Sequence, residues 1–504
     1  MAGAVDRPWV PPIWLAWVAL LILTGVRLWA AAATPLAPDE AYYWVWSRAL
    51  AGGYPDHPPM VALWIRAGVW LAGDTPLGVR LLAPFAGLLG TLLLVQAGDD
   101  VLPGRRLGLA AGVLMNATLL FGVGSVTMTP DTPLLLFWTA SVWALGRVLA
   151  TGRPVWWLAA GLAAGLALDS KYTAALLLPG VVVWLLAVPG LRPWLGRPWP
   201  WLAAVIAGLV FAPVVAWNAG HGWVSFLKQG GRAGDWQPVR ALQFLGELLG
   251  GQIGLATPGI ALLLGAGIVL AVRRAIAREP GAREPGVREP GWTLLAVLTV
   301  LPGLVFLQHA LGDRVQANWP SVMYPAASIA AAGLAGRWLR LWRPALVVGL
   351  VMTLAVWVQG VAAPIPLSMR FDPTLLRVGG WEALAAAVAR QASQEDAAFV
   401  VADNYGIAAV LARLVPREMP VLADDSRWSL FDLPDGRTLI TGRVGLLVRS
   451  ARRADPPVSA DWASLTRVGQ VVRSRDGMAA EVFDLFRVVG RPGAEPVAVM
   501  PRPQ

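Results

Sequence analysis

The run PIWLAWVALLILTGVRLWAAA (residues 12–32) contains a single charge, Arg27. About 20 consecutive apolar residues of helix cross a bilayer core, so this run predicts a transmembrane span. It is followed at once by PDEAYYWVWSRALAGGYPDHPPM (38–60), which sets Asp39, Glu40, Asp56 and His57 among aromatic residues. Four titratable groups at the mouth of a span are either an ordinary loop or the working end of an enzyme.

The rest of the 504-residue chain repeats the first run. It is 56% hydrophobic and only 14% charged, against roughly 25% charged in soluble domains. Its 27 Trp suit rings that sit at the membrane–water boundary. Further spans are predicted near 77–97, 107–126, 132–149, 154–168, 172–190, 200–217, 252–272, 291–309, 321–337 and 344–361, about eleven in all. The shorter segment 59–73 carries Arg66 and predicts an amphipathic helix lying in the interface. The expected fold class is a polytopic α-helical membrane protein, residues 1–363 with an outer first loop 33–76, followed by a small α/β domain at 364–504. In that domain 376–392 and 405–414 have helical spacing, and 397–404, 441–450 and 480–490 look like strands.

Charge sets the expected orientation. With the amino terminus and Arg7 inside, the inner gaps 98–106, 150–153, 191–199, 273–290 and 338–343 all contain arginine, among them Arg105 and Arg106, as the inside bias of Lys and Arg requires. The acidic first loop and the carboxyl-terminal domain then face outward, to the periplasm if the membrane is a bacterial inner membrane. The same bias accounts for the +10 net charge without nucleic acid, since no basic stripe with interleaved aromatics occurs. One inner gap, AREPGAREPGVREPG (277–291), is a threefold repeat whose Pro and Gly density predicts a tether. Cysteine is absent, which excludes disulfides, thiolate metal sites and cysteine nucleophiles.

The chain has three histidines (His57, His221, His309) and two lysines (Lys171, Lys228), all assigned to the outer side or its edge. A chain that writes arginine by default and keeps lysine at 171 suggests a compact ammonium for a phosphate. Asp131 opens a span and Lys171 lies between two; charge costs about 2.5–3.5 kcal/mol at a span centre and less near its ends. Both could simply snorkel, and Asp131 could cap its helix. The three prolines around Asp56 and His57 hold the pair rigidly, which suits a divalent metal ion, a phosphate or a proton transfer, or a packed turn. AWNAGHGWVSF (216–226) and QHALGDRVQANWPSVMYP (308–325) offer Asn218, His221, Asn318 and Trp319 for sugar or head-group contact, or as interface anchors. His309 reads as packing.

PDEAYYWVWSRALAGGYPDHPPMVALWIR, GDTPLGVRLL, TPDTPLLLFW, SKYTAALLLPG, PVVAWNAGHGWVSF and NWPSVMYPA, in that order over roughly residues 30 to 330, resemble bacterial members of the GT-C superfamily. The likeness is to the branch related to protein O-mannosyltransferases and the aminoarabinose lipid A transferase. FVVADNYGIAAVLA in the last domain also looks like a segment of this branch. The resemblance implies a glycosyltransferase that takes a sugar from a polyprenyl-phosphate donor outside the cytoplasmic membrane. It implies Asp39 as general base, Asp131 at a second acidic site, Lys171 facing the donor phosphate and Asp56 at a metal-binding position. Tyr42 stands where the aminoarabinose transferase has arginine, and His57 where it has lysine. Glu40 or Asp131 would orient the acceptor, and Lys171, His57 and Tyr42 would meet the phosphate. The acceptor is expected to be a lipid or envelope glycan, with a protein hydroxyl also open. This reading requires Asp39 and Lys171 to serve one wet pocket at the outer rim of the bilayer. A multi-pass transporter is the rival, since charges beside spans also mark solute paths, and an inactive lipid-sugar scaffold is a third reading. No internal repeat of the transporter kind is visible.

Overall fold

A computed structural model describes residues 8–103, 107–231, 237–277, 289–453, 455, 457, 462–492 and 498–503. Arg7, Arg105, Arg106 and most of the EPG repeat lie outside the described residues. The chain forms two compact units: Met1–Leu28 with Asp56–Val61 and Leu82–Ala355, and Trp29–Pro55 with Ala62–Leu81 and Val356–Gln504.

The first unit is helical. Among the described residues of the whole chain, seven helices are long and apolar enough to cross a membrane: Ile13–Ala33, Pro76–Val101, Asp131–Thr151, Pro198–Gly220, Pro258–Ile276, Pro290–His309 and Trp338–Ala362. A pair bent by 117°, Tyr172–Ala187 and Pro189–Gly196, makes an eighth if taken as one span. Eleven were expected, and the difference has local causes. The run 107–126 breaks into Gly108–Asn116 and Leu119–Gly124, because the Thr118 hydroxyl accepts the Phe121 N–H and starts a new helix. Val155–Leu168 has only 14 residues. The apolar run 321–337 becomes a 3-10 turn and the nine-residue helix Tyr324–Ala332, every residue of which is buried. Its apolarity answers to protein packing instead of lipid.

Small residues let these helices approach closely. A Cβ on Gly161 would lie 2.3 Å from the Ala203 carbonyl oxygen, so Val155–Leu168 packs directly on Pro198–Gly220. Asp131–Thr151 packs against both Leu82–Val101 and Val155–Leu168. It ends at Gly152, whose φ of 64° is the left-handed value that favours glycine. This leaves Asp131 at the head of a helix anchored along its length.

The second unit holds a six-stranded sheet: β1 (Val400–Ala402), β2 (Val421–Ala423), β3 (Val444–Ser450), β4 (Trp462–Arg475), β5 (Met478–Gly490) and β6 (Ala498–Val499), in the order β4-β5-β3-β1-β2-β6. The central strands β3, β1 and β2 run parallel; β4, β5 and β6 join antiparallel. Phe399, Val401, Leu422, Leu447 and Val488 form part of its core. The helix Tyr405–Leu414 follows β1 directly, with Asn404 Oδ1 accepting the Gly406 and Ile407 N–H groups. Against this helix packs Pro38–Arg48, the helix of the first acidic motif.

Candidate active site

In the second unit, Pro38 opens the helix that carries Asp39 and Glu40, a position where its missing N–H costs nothing. Adjacent helical residues point about 100° apart, and these two carboxylates separate accordingly. Glu40 is 1% exposed. Its oxygens accept from Arg80 Nε at 2.7 Å and Nη2 at 2.5 Å, and Oε2 also accepts the Ala37 N–H at 3.0 Å. Arg80 in turn donates to the carbonyls of Ala31, Thr34 and Pro35. The expected part for Glu40 in the chemistry is therefore corrected: it is a buried anchor holding the chain before Asp39. Asp39 is half-buried and accepts from the Tyr405 hydroxyl at 3.3 Å. Tyr42, expected at the phosphate, is 2% exposed and lies in an aromatic cluster with Trp46, Tyr405 and Trp428 at 5.0, 4.5 and 5.4 Å between ring centres. Its ring helps to build the wall behind Asp39.

In the first unit, Lys171 occupies an extended residue between Val155–Leu168 and the 3-10 turn Tyr172–Leu176. It is 5% exposed. Its ammonium donates to Asp131 Oδ1 at 2.7 Å, while Asn318 Nδ2 donates to Asp131 Oδ2 at 2.6 Å. The structure thus joins three residues, separated by up to 187 positions, that the sequence singled out individually. The second lysine behaves alike: Lys228 pairs with Asp56, and Gln229 Nε2 donates to the Asp56 carbonyl at 3.1 Å. A cavity of about 250 Å³ is lined by Lys171, His57, Thr173, Gln229, His309 and Trp319, among others. The Met60 N–H bonds the Asp169 carbonyl at 3.0 Å, which clips the His57 segment beside the turn that carries Lys171.

His57 is enclosed, and burial first, then the Lys171 ammonium, push its imidazole down to about 4 against the opposing pull of Asp56 and Asp131. The shift favours the neutral ring, which would meet a phosphate through a hydrogen-bonding nitrogen. A stability consequence follows. Between its unfolded value near 6.5 and about 4, the unfolded chain takes a proton that the folded chain refuses, so stability falls as pH drops through that window. His57→Gln should flatten this loss, checked by comparing melting curves of both proteins near neutral and at mildly acidic pH.

Asn218 is fully buried. Its amide donates to the Val214 carbonyl at 3.0 Å and accepts the Ser225 N–H at 3.2 Å, so it clips a turn, which corrects its expected sugar contact. His221 stacks on Trp217 at 4.2 Å and bonds the Trp217 carbonyl through Nδ1 at 2.7 Å. Trp319 lines the cavity, as does His309, read from sequence as packing; their rings lie 5.5 Å apart. Sequence reasoning missed His309, Gln229 and Tyr405. Only the scarcity of histidine pointed to the first.

A divalent ion at Asp56 finds a poor donor set. Among the described residues no three His, Asp or Glu side chains gather as ligands, and the Asp56 carboxylate already meets an ammonium. The described residues do not fit the metal.

Residues 56–217 match the family model described as dolichyl-phosphate-mannose-protein mannosyltransferase. The chain is 27% identical over 326 residues to the lipid A galacturonosyltransferase RgtD of Rhizobium johnstonii, covering 62% of this chain and 65% of that protein. It is 33% identical over 216 residues to the undecaprenyl phosphate-alpha-4-amino-4-deoxy-L-arabinose arabinosyl transferase 1 of Sodalis glossinidius, covering 38% of this chain and 36% of that one. The chain thus spans less than two thirds of the length of either relative. Its fold is similar to the crystal structure of ArnT from Cupriavidus metallidurans bound to undecaprenyl phosphate, with a TM-score of 0.56 at 16% identity over 94% of this chain and 97% of that one. With its many membrane helices and its mixed carboxyl-terminal sheet, the chain is a multi-pass membrane protein, similar in fold to ArnT and similar over the stretch holding Asp56, His57, Asp131 and Lys171 to the dolichyl-phosphate-mannose-protein mannosyltransferases.

Proposed function

We propose that this protein transfers a sugar from a polyprenyl-phosphate donor to lipid A or its attached glycan on the periplasmic face of a bacterial inner membrane. The observation that carries the reading is the buried Lys171 ammonium, bound to Asp131, at the wall of a cavity it shares with His57 and Gln229. A sugar on polyprenyl phosphate is already activated, because phosphate is a good leaving group. Little acid is needed at the leaving oxygen. What is needed is fixed positive charge on the phosphate and a base at the acceptor hydroxyl.

Lys171 supplies the charge, with Asp131 and Asn318 fixing its ammonium. His57, being neutral, serves as a hydrogen-bonding partner, and Trp319 gives the sugar an aromatic face. Asp39 takes the acceptor proton as the new bond from acceptor oxygen to the anomeric carbon forms. The bond from that carbon to the phosphate oxygen breaks, its electron pair leaving on polyprenyl phosphate, and the single displacement inverts the anomeric centre. Lys171, His57, Gln229 and His309 gather round one cavity of the first unit, which favours transfer over transport. The name of the Rhizobium johnstonii relative supports lipid A as the acceptor class, and that of the Sodalis glossinidius relative supports a polyprenyl-phosphate-linked sugar as donor.

The test is mass spectrometry of lipid A from a deletion strain. The expected result is loss of one sugar residue from lipid A or its core, restored by the wild-type gene. An unchanged lipid A and core, with a change in another envelope glycan or in protein glycosylation, would overturn the assignment of acceptor.

A further inference from the structure

The carboxyl-terminal sheet presents its first crossover to the proposed base. In open sheets with parallel strands, ligands are met by the loops beyond the carboxyl ends of those strands, where successive connections part. Here β1 is flanked by β2 and β3 in parallel, and it leads through Asp403 and Asn404 into Tyr405 and Gly406, the first residues of the following helix. Each of the last three residues has a distinct geometric task. Asn404 caps the following helix through the Gly406 and Ile407 N–H groups. Gly406 allows close approach: a Cβ there would lie 3.0 Å from Pro38 Cβ, one residue before Asp39. Tyr405, between them, directs its hydroxyl to Asp39 Oδ1 at 3.3 Å.

The Tyr405 ring is itself held. It packs at 4.5 Å on Tyr42, and the Arg427 guanidinium lies over it at 4.0 Å. Arg427 is in turn oriented by Asp425, on the loop that follows β2. Two loops at the same end of the parallel strands thus converge on one phenol, whose only polar atom reaches the carboxylate proposed as base.

We propose that Tyr405 is a positioning residue for Asp39, and hence that the carboxyl-terminal domain completes the catalytic machinery. The inference rests on the reading of Asp39 as general base. A fully formed hydroxyl–carboxylate bond is nearer 2.5–2.7 Å, and catalytic hydrogen bonds are often long until substrate is bound. The phenol fixes which carboxylate oxygen is left to take the acceptor proton.

The experiment uses the purified full chain, lipid A from the deletion strain as acceptor and inner membranes of that strain as donor source, with undecaprenyl phosphate as the binding probe. Tyr405→Phe keeps the ring and both of its packing contacts. It should lower turnover about tenfold to a hundredfold, the size of one hydrogen bond to a charged group, with the melting temperature and the affinity for undecaprenyl phosphate unchanged. In an Asp39→Glu background, where the carboxylate is already displaced, Tyr405→Phe should change turnover less than about twofold, the mark of two residues acting as a unit. Wild-type turnover in Tyr405→Phe, or an equal loss in both backgrounds, overturns the inference and leaves Asp39 in place. Should Asp39→Asn stay active, the underlying reading fails instead.

Discussion

Asp39→Asn should reduce sugar transfer by roughly 10²–10⁴-fold, the range that general-base help supplies, while leaving the affinity for undecaprenyl phosphate unchanged. The substitution is nearly isosteric. It keeps an oxygen that accepts from the Tyr405 hydroxyl, and it leaves the buried Glu40–Arg80 pair that anchors the helix untouched. The fold therefore survives, and what is lost is the capacity to take a proton. Because the proposed function assigns donor binding to the cluster around Lys171 and not to Asp39, the two measurements should separate cleanly. Retention of more than about a tenth of wild-type transfer would remove Asp39 from the role of base.

The neighbouring carboxylate gives the contrast. Glu40→Gln is also isosteric, yet it removes the charge opposite a fully buried Arg80, so its effect falls on stability and not on the chemical step. Nothing in the letters PDE distinguishes the two acids. Their fates diverge because a helix turns successive side chains to different faces, one toward the half-exposed side that Tyr405 reaches and one into the protein.

That contrast shows what the sequence can and cannot reveal here. Asp131 and Lys171 were visible as charges that a membrane segment carries only for a reason, and the structure supplies the reason by pairing them. The pairing partner was not legible, since the two residues lie 40 positions apart. The charge state of His57 was not legible either: it follows from enclosure by segments remote in the chain. In the carboxyl-terminal domain, β1, β3 and β5 announce themselves as apolar runs. The long strand β4 does not, because bulges at Trp462/Ser464, Arg467/Gly469 and Arg473/Ser474 break its alternation. Tyr405 looked like the first residue of an ordinary helix, and only the arrival of Asp39 gives its hydroxyl a purpose. Helix count failed where apolar residues face protein and not lipid, as Tyr324–Ala332 does.

Lys171→Met should abolish measurable transfer and weaken undecaprenyl phosphate binding about tenfold to a hundredfold, the size of a hydrogen bond between charged groups. It should also destabilise the protein, for a separable reason. The Lys171 and Asp131 side chains are only 7% and 14% exposed, and removing one partner of a buried pair leaves the other charge uncompensated, typically at a cost of about 3–5 kcal/mol. A loss of activity in the single variant is thus ambiguous between an unmade phosphate contact and a damaged fold. The double variant Lys171→Met with Asp131→Asn resolves it. With the carboxylate neutralised, Asn318 still has an amide oxygen to meet, the stranded charge is gone, and the melting temperature should return most of the way to wild type. Transfer and phosphate affinity should not return, because no ammonium faces the cavity. A double variant that regained both would make Lys171 a structural counter-ion for Asp131, and the phosphate would then have to be met by another cation, for which Lys228 on Gln229's helix is the first candidate.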